Sequence, residues 1–468
     1  MAVKFKRTKI MASLGPATDN MQCVEDLIRT GVNGIRLNFS HGSHQEYERW
    51  IEWTRTASAE VGKPVAIVAD LQGPKIHVGE LPQEGVKLEE EAEISFGYKA
   101  DYSESGVIPV QYDLSQKVNP GELLFLADGK LCAEIVDVRD GIITTNIKVG
   151  GKLHSRKGIN LPDTDLGGDI ITHKDYADIE FAIEQGVDYI ALSFVQSGED
   201  VTLLREFLEA REASVKIIAK IETNSALDNI EDIMAASDGV MVARGDLAVE
   251  AGPEVVPIAQ RHIIGLAQHY GKIAIVATQM LASMTDSSQP TRAEVSDIAT
   301  AVVCGADCLM LSDETATGNY PTEAVALMKK VSLYAETNSP VEPKFINMED
   351  QTQGSSIASA AITLAHQLQA EMIIAETASG KTARNIAAHR PQMPIIMATT
   401  NQQVAQQLAV VYGSKSYYFQ EAEKAGLQAV QKQQEKGGLE PGNLVVLTYG
   451  EHPGVAGGTD TIKVREVQ

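Results

Sequence analysis

The chain has 468 residues, 44% of them hydrophobic and 22% charged, which fits a globular protein of two to four domains. Acidic residues outnumber basic ones by 63 to 40, and no long basic cluster offsets the formal net charge of -23. That balance excludes nucleic acid and anionic membranes as main partners, and it requires any anionic substrate to be met by cations placed locally. Cys304 and Cys308 have no His or second Cys pair at zinc spacing nearby, so the 4 cysteines read as core thiols. The first residues hold no apolar run long enough for a signal peptide, and no stretch of about 18 apolar residues exists to span a membrane. Together these predict a cytoplasmic protein.

Along the chain, short Val/Ile/Leu/Ala-rich runs alternate with helical periodicity, the pattern of a parallel sheet covered by helices. "KIMASLG", "GIRLNFS" and "VAIVADL" are the first three strands. From about Gln72 to Gly167 the pattern changes to β-like pieces separated by turn residues, such as "GELLFLADG", "CAEIVDV" and "GIITTNIKVGG". An inserted all-β domain is expected there, hanging over the end of the third strand as a candidate lid. Strands resume with "YIALSF", "KIIAKI", "GVMVAR", "IAIVAT" and "CLMLS", joined by helical stretches such as "EVVPIAQRHIIGLAQHY" and "TRAEVSDIATAVV". Eight β/α units predict an α/β fold, a (β/α)8 TIM barrel, with catalytic groups at the carboxyl ends of its strands. After a Pro-containing linker at 338–344, the helix "SSIASAAITLAHQL" and the strands "EMIIAE", "PIIMAT" and "LVVLTYG" make a C-terminal α/β domain. The expected boundaries are 1–71 and 168–337 for the barrel, 72–167 for the lid and 345–468 for the C-terminal domain.

Polar residues gather at the strand ends. Strand two offers Arg36, Asn38, Ser40 and His41, and strand three offers Asp70. Strand five carries Lys220 and Glu222, strand six Arg244 and Asp246, strand seven Thr278 and Gln279, strand eight Ser312 and Asp313. Lys220 and Glu222 are two apart and share a face, which suits either an ion pair closing the barrel or a functional pair. Glu222 and Asp246 on neighbouring strands suggest a Mg2+ site whose shell is completed by an anionic ligand. Asp246 alone would equally serve as a helix cap. Arg36 and Lys220 supply the positive charge that phosphoryl transfer needs from a protein. Thr278 is a neutral hydroxyl among charges, able to donate a hydrogen bond, relay a proton or merely satisfy backbone. A Mg2+-dependent lyase forming a pyruvate enolate by C–C cleavage on the same barrel, or a non-catalytic metabolite sensor, are the competing readings.

With these residues in view, the chain resembles the pyruvate kinase family along essentially its whole length. The matching segments are "TKIMASLGPAT", "GIRLNFSHG", "DLQGPKI", "KIIAKIET", "VARGDL", "ATQMLASM", "PTRAEVSDIATAV" and "LSDETATGNYP", in the family's order. The resemblance implies transfer of a phosphoryl group from phosphoenolpyruvate to ADP, giving pyruvate and ATP in glycolysis. It implies Glu222 and Asp246 as ligands of Mg2+ (or Mn2+), Lys220 as the transition-state cation and Arg36 as the phosphate-binding arginine. Gly245 and Asp246 backbone N–H groups, with Thr278, would hold the substrate carboxylate, and Thr278 and Ser312 would deliver a proton to the enolate. Pro16, Asn38, His41 and Lys174 match positions facing the nucleotide, with His77 a weaker contact. The lid would close on ADP and exclude water. A cytoplasmic homotetramer is implied.

One departure concerns Leu71, Gln72 and Lys75, where many members have Thr, Lys and Glu. In those members a K+ ion is held with the counterparts of Asn38, Ser40 and Asp70. A lysine ammonium is a compact point charge. Tethered beside Asp70, Lys75 would take the role of the monovalent cation, resembling the branch that does not require K+; otherwise it is a solvated hinge residue. In the C-terminal domain, Thr377, Ser379, Gly380, Lys381 and Thr382 open a helix as an anion site would. Ala375 stands where a P-loop needs its first glycine, which rules out an ATPase site. The resemblance makes this loop a pocket for a phosphorylated effector, a sugar phosphate or nucleotide monophosphate; an ordinary capped helix is the alternative.

Overall fold

The computed structural model describes residues 5–127, 129–164, 170–339, 352–421, 425–451 and 457–468. Eight parallel strands close into a barrel in chain order: Lys9–Ser13, Gly34–Asn38, Ala66–Asp70, Tyr189–Leu192, Lys216–Ile221, Gly239–Ala243, Ile273–Ala277 and Cys308–Leu311. They are the eight runs expected from the sequence. Each is predominantly apolar because both faces are buried. Met11, Val68, Tyr189, Ile218, Met241 and Met310 fill the inside, while Ile10, Ile67, Ile190, Ile217, Val240 and Leu309 pack outward on the helices.

The amino-terminal end of the barrel repeats one device four times. Asn33, Asp188, Asp238 and Asp307 each stand immediately before an even-numbered strand. Each side chain accepts a hydrogen bond from the second amide of the preceding strand, from Ile10 (3.3 Å), Ile67 (2.7 Å), Ile217 (3.1 Å) and Ala274 (3.0 Å). Each also meets a cation, Lys6 at 2.9 Å, Arg55 at 3.0 Å, Arg205 at 3.0 Å and Arg390 at 2.6 Å, and Asp238 has Lys216 as a second at 3.4 Å. The device terminates the ladder where a strand begins, and it leaves the opposite end of the barrel free for chemistry.

Arg390 belongs to the C-terminal part of the chain, which caps this end. There Val410 lies against Gly34, so closely that a β-carbon on Gly34 would stand 2.8 Å from it, and Tyr189 donates to the Gln407 carbonyl at 2.7 Å. The five-stranded sheet runs Ser414–Tyr418, Ile395–Thr399, Met372–Glu376, Leu444–Gly450, Thr459–Glu466, with only the last strand antiparallel. Its first and last strands were not anticipated from the sequence. The helix Gln353–Gln367 packs on it, as expected. Of the expected linker at 338–344, Asn338 ends the helix Pro321–Asn338, and residues from 340 lie outside those described.

Between the third and fourth barrel strands lies a seven-stranded sheet, in the order Ile76–His77, Gly158–Asn160, Leu123–Leu126, Leu131–Arg139, Ile142–Val149, Glu93–Tyr98, Ile108–Val110. Its two edges meet: Val78 bridges Val110, and Gly79 donates to the Pro109 carbonyl at 2.8 Å. Phe96, Leu124, Leu126, Ile135 and Ile143 form its own core. The chain enters it just after Asp70 and leaves it just after Asn160, at the carboxyl end of the third barrel strand.

Candidate active site

Register explains why the polar residues converge. Ser13 pairs with Arg36, Asn38 with Asp70 and Ile221 with Val242, so the strand ends reach one level at the carboxyl end of the barrel. Asp70 and Glu222 are each 1% exposed. Asp70 Oδ2 takes the Arg36 Nε at 2.6 Å, and its Oδ1 lies 3.2 Å from Lys220 Nζ. Lys220 also pairs with Glu222 Oε1 at 2.9 Å and donates to Ser193 Oγ at 2.6 Å. Burial alone would lower the Lys220 pKa, but Asp70 and Glu222 outweigh it and hold the ammonium above its ordinary value. Burial likewise opposes ionisation of Asp70, and Lys220 and Arg36 overcome it, so its carboxyl lies below the usual range. Glu222 behaves differently: burial, with Asp246 adding to it, pushes the carboxyl up in spite of Lys220.

The two carboxylates Glu222 and Asp246, with their hard oxygen donors, fit an oxygen-preferring divalent cation. Among the described residues no cluster of three or more His, Cys, Asp or Glu could hold a metal, so the rest of such a shell would be water and substrate oxygen. Asp246 sits in the first turn of the helix Arg244–Ala251, whose N-cap is Ala243, so it is not the cap of that helix.

The seventh strand ends in unusual backbone. Thr278 and Gln279 both have positive φ, 65° and 54°, a conformation that costs non-glycine residues about 1–3 kcal/mol each. Arg244 holds it: its Nη2 donates to the Thr278 carbonyl at 2.6 Å, and its Nη1 pairs with Asp297 at 2.6 Å. Thr278 Oγ1 accepts from the Gly245 amide at 2.9 Å, bringing together two of the groups expected at the substrate carboxylate. Ser312 Oγ, at the end of the eighth strand, is buried without a hydrogen-bond partner.

Among the residues expected to face a nucleotide, Pro16 opens a short turn after the first strand, and the Asn38 side chain accepts from the Ser40 amide at 3.2 Å. Tyr47 donates to the carbonyls of Asn38 and His41. Burial and then Arg36 lower the His41 pKa, which favours the neutral ring. Lys174 donates to the Phe39 carbonyl at 2.7 Å and pairs with Asp178 at 2.5 Å. His77 lies on the lid edge strand opposite Gly158. A cavity of about 460 Å³ opens between the lid connections and the mouth, lined among others by Gln72, Lys75, Lys174, Phe194 and Thr223.

Lys75 departs from expectation. Its ammonium is seated 2.9 Å from Asp246 Oδ1, not beside Asp70. Asp70 already holds Arg36 and Lys220, and the Leu71 carbonyl accepts from Ser193 Oγ at 2.7 Å, so that corner is filled from within the barrel. Ser193 and Phe194 were missed altogether. Phe194 adopts a φ of 56° and gives its amide to Glu222 Oε2 at 2.8 Å. The signal for Ser193 was present, a hydroxyl ending "YIALSF"; nothing in a sequence announces the Phe194 backbone.

In the C-terminal sheet, Gly380 has a φ of 83° and donates its amide to Thr377 Oγ1 at 2.9 Å, and the helix Lys381–Ala388 follows. Thr382 is buried, its hydroxyl 2.6 Å from that of Thr459. Lys381 and Ser379 frame the same turn.

A (β/α)8 barrel with interleaved acids and bases at its carboxyl mouth, roofed by an inserted β sheet, defines an enzyme whose active face is built for charged ligands. Comparison with known proteins gives the family. Residues 5–325 match the model for the pyruvate kinase barrel domain, and residues 355–465 match that for the pyruvate kinase alpha/beta domain. Pyruvate kinase 2 of Synechocystis sp. is 39% identical over 99% of this chain and 80% of its own length. The pyruvate kinase of Geobacillus stearothermophilus is also 39% identical, over the same shares, and that of Thermotoga maritima is 38% identical over 99% of this chain and 100% of its own. The chain belongs to the pyruvate kinase family and is a phosphotransferase. Membership decides against the lyase and sensor readings.

Proposed function

We propose that this enzyme transfers the phosphoryl group of phosphoenolpyruvate to ADP in a Mg2+-dependent reaction, releasing pyruvate and ATP, as the glycolytic enzyme does. The observation that carries the reading is the placement of Lys220, a buried ammonium touching Asp70, Glu222 and Ser193 at the mouth. Such a cation is fixed before the reaction begins, so it stabilises charge on a moving phosphoryl group with little reorganisation. Arg36 orients the same group, its guanidinium aimed by Asp70 and Ser13. Glu222 and Asp246 would hold the divalent cation, which when bound draws charge from the transferring group. The Gly245 amide and Thr278 receive the substrate carboxylate. Proton delivery to the enolate falls to Thr278 and Ser312 with water, and the unpartnered Ser312 hydroxyl supports this assignment. Pro16, Asn38, His41, Lys174 and, more weakly, His77 face ADP.

The finer readings are part of the proposal: a barrel of 1–71 and 168–337, a lid of 72–167 closing on the nucleotide, a regulatory domain of 345–468 whose loop Thr377–Thr382 takes a phosphorylated effector, and a cytoplasmic homotetramer. K+ is not required, because Lys75 brings a cation of the chain's own to the mouth. The assay is pyruvate formation from phosphoenolpyruvate, with and without ADP and Mg2+, in a buffer whose only monovalent cation is a bulky quaternary ammonium. Pyruvate formation independent of ADP would overturn the function. A tenfold or greater rise on adding K+ would overturn the K+ reading alone.

A further inference from the structure

Three residues of the short helix Arg244–Ala251 meet the lid. Asp246 takes Lys75 from the outgoing connection. Glu250 Oε1 accepts from Asn160 Nδ2 of the returning strand at 3.2 Å. Val249 lies against Gly129 at a lid turn, where a β-carbon on the glycine would stand 2.8 Å from Val249 Cγ2. Gly158, also on the returning strand, makes room for the lysine stem: a β-carbon there would stand 2.7 Å from Lys75 Cε. The returning strand therefore borders the Lys75 stem, and the ammonium reaches Asp246.

We propose that Lys75 is a counter-ion latch that the divalent cation displaces. In the metal-free protein it fastens the lid connection to Asp246, and loading of Glu222 and Asp246 releases it. The inference rests on the reading of those two carboxylates as cation ligands. An ammonium 2.9 Å from Asp246 Oδ1 occupies the space that the hydration shell of an ion bound to that carboxylate would need, and the charges repel. Lys220 has reason to stay, because Asp70 and Ser193 still hold it when Glu222 turns to a cation. Lys75 is carried by the connection itself, so its release changes the lid's tether. Coupling of this kind is reciprocal: what breaks the latch must tighten cation binding.

The test titrates Mn2+ into the full-length, substrate-free protein and counts free ion by electron paramagnetic resonance, alongside hydrogen exchange. Lys75→Met should bind Mn2+ at least about tenfold more tightly than wild type, within the usual range of coupling. Gly158→Ala, which keeps the lysine but crowds the far end of its stem, should shift affinity in the same direction by a smaller factor. Lys174→Met removes a neighbouring charge without touching Asp246 and should change affinity by less than about twofold. Mn2+ should accelerate exchange at 72–76 and 156–160 in wild type but not in Lys75→Met. Equal affinity in wild type and Lys75→Met, or an effect of Lys174→Met as large as that of Lys75→Met, overturns the latch. Asp246→Asn separates the two ideas: if it leaves Mn2+ affinity unchanged the ligand assignment itself fails, whereas if it weakens binding while Lys75→Met does nothing, only the latch fails.

Discussion

Replacing Lys220 by Met removes one ammonium and leaves a side chain of similar length. At 2.9 Å from Glu222 and 3.2 Å from Asp70, and with an effective dielectric of about 20, each contact amounts to roughly 5 kcal/mol of Coulomb energy before desolvation. Asp70 keeps Arg36, but Glu222 keeps only the Phe194 amide, so the variant holds one poorly compensated buried carboxylate. Breaking a buried pair in this way costs about 3–5 kcal/mol of stability, unless Glu222 takes up a proton. Saturating Mg2+ should restore part of that loss, because the ion supplies the missing charge to the same oxygen. Turnover should fall on the order of 10²-fold or more and should not recover with Mg2+, since the stabilisation of the moving phosphoryl group is gone. Circular dichroism establishes that the variant is folded, thermal melts with and without Mg2+ read the first effect, and steady-state kinetics read the second. A folded variant with near wild-type turnover refutes Lys220 as the transition-state cation. A melting temperature indifferent to Mg2+ refutes charge replacement at Glu222.

Arg244→Lys keeps the charge but loses the planar fork that grips the Thr278 carbonyl and Asp297, so kcat should drop about 10- to 100-fold, and unchanged kinetics would refute the role given to that loop. Burial lifts the Asp188 pKa to about 6 despite Arg55 and the Ile67 amide. The folded state therefore holds this proton more tightly than the unfolded one, and the resulting stability, complete below about pH 4, is lost as pH rises through 6. Asp188→Asn mimics the protonated acid, so denaturant melts should show the variant gaining about 3 kcal/mol relative to wild type between pH 4 and pH 7; parallel curves would refute the shift. Arg390→Ala leaves Asp307 buried and uncompensated where the C-terminal sheet caps the barrel, and about 3–5 kcal/mol should be lost. Urea unfolding checks this, and a loss below about 1 kcal/mol would show that the pair holds nothing together.

The barrel was legible because strands buried on both faces are predominantly apolar, which left their few polar residues conspicuous. The insert was legible because turn residues recur where helical period stops. Two strands escaped for the opposite reason. Ser414–Tyr418 carries serines and a lysine, and Thr459–Glu466 is a partly exposed edge strand with charges along it. The fourfold device at the barrel floor was invisible because each of its four side chains and its amide partner lie between 21 and 121 residues apart. At the mouth, residue types announced charge but not pairing. Lys75 stands five residues after Asp70 in the chain and 171 before Asp246, yet it meets the latter. Two cations from the second and fifth strands had already filled Asp70, a competition that only three-dimensional register decides.

That pairing bears on how the site handles charge. Three carboxylates, Asp70, Glu222 and Asp246, stand against three cations, Arg36, Lys220 and Lys75, so these six groups sum to zero. A chain with a net charge of -23 gives an anionic substrate no long-range attraction, and a balanced mouth adds none at close range. A divalent cation arriving alone meets lysines already on both proposed ligands; a phosphorylated acid arriving alone meets cations already engaged. Each ligand corrects the imbalance the other creates, since the cation detaches an ammonium and the anion then has positive charge to bind. On the proposed assignments, cation and substrate should therefore bind with mutual dependence, each strengthening the other by the same factor. The neutral mouth is thus a means of refusing either partner alone.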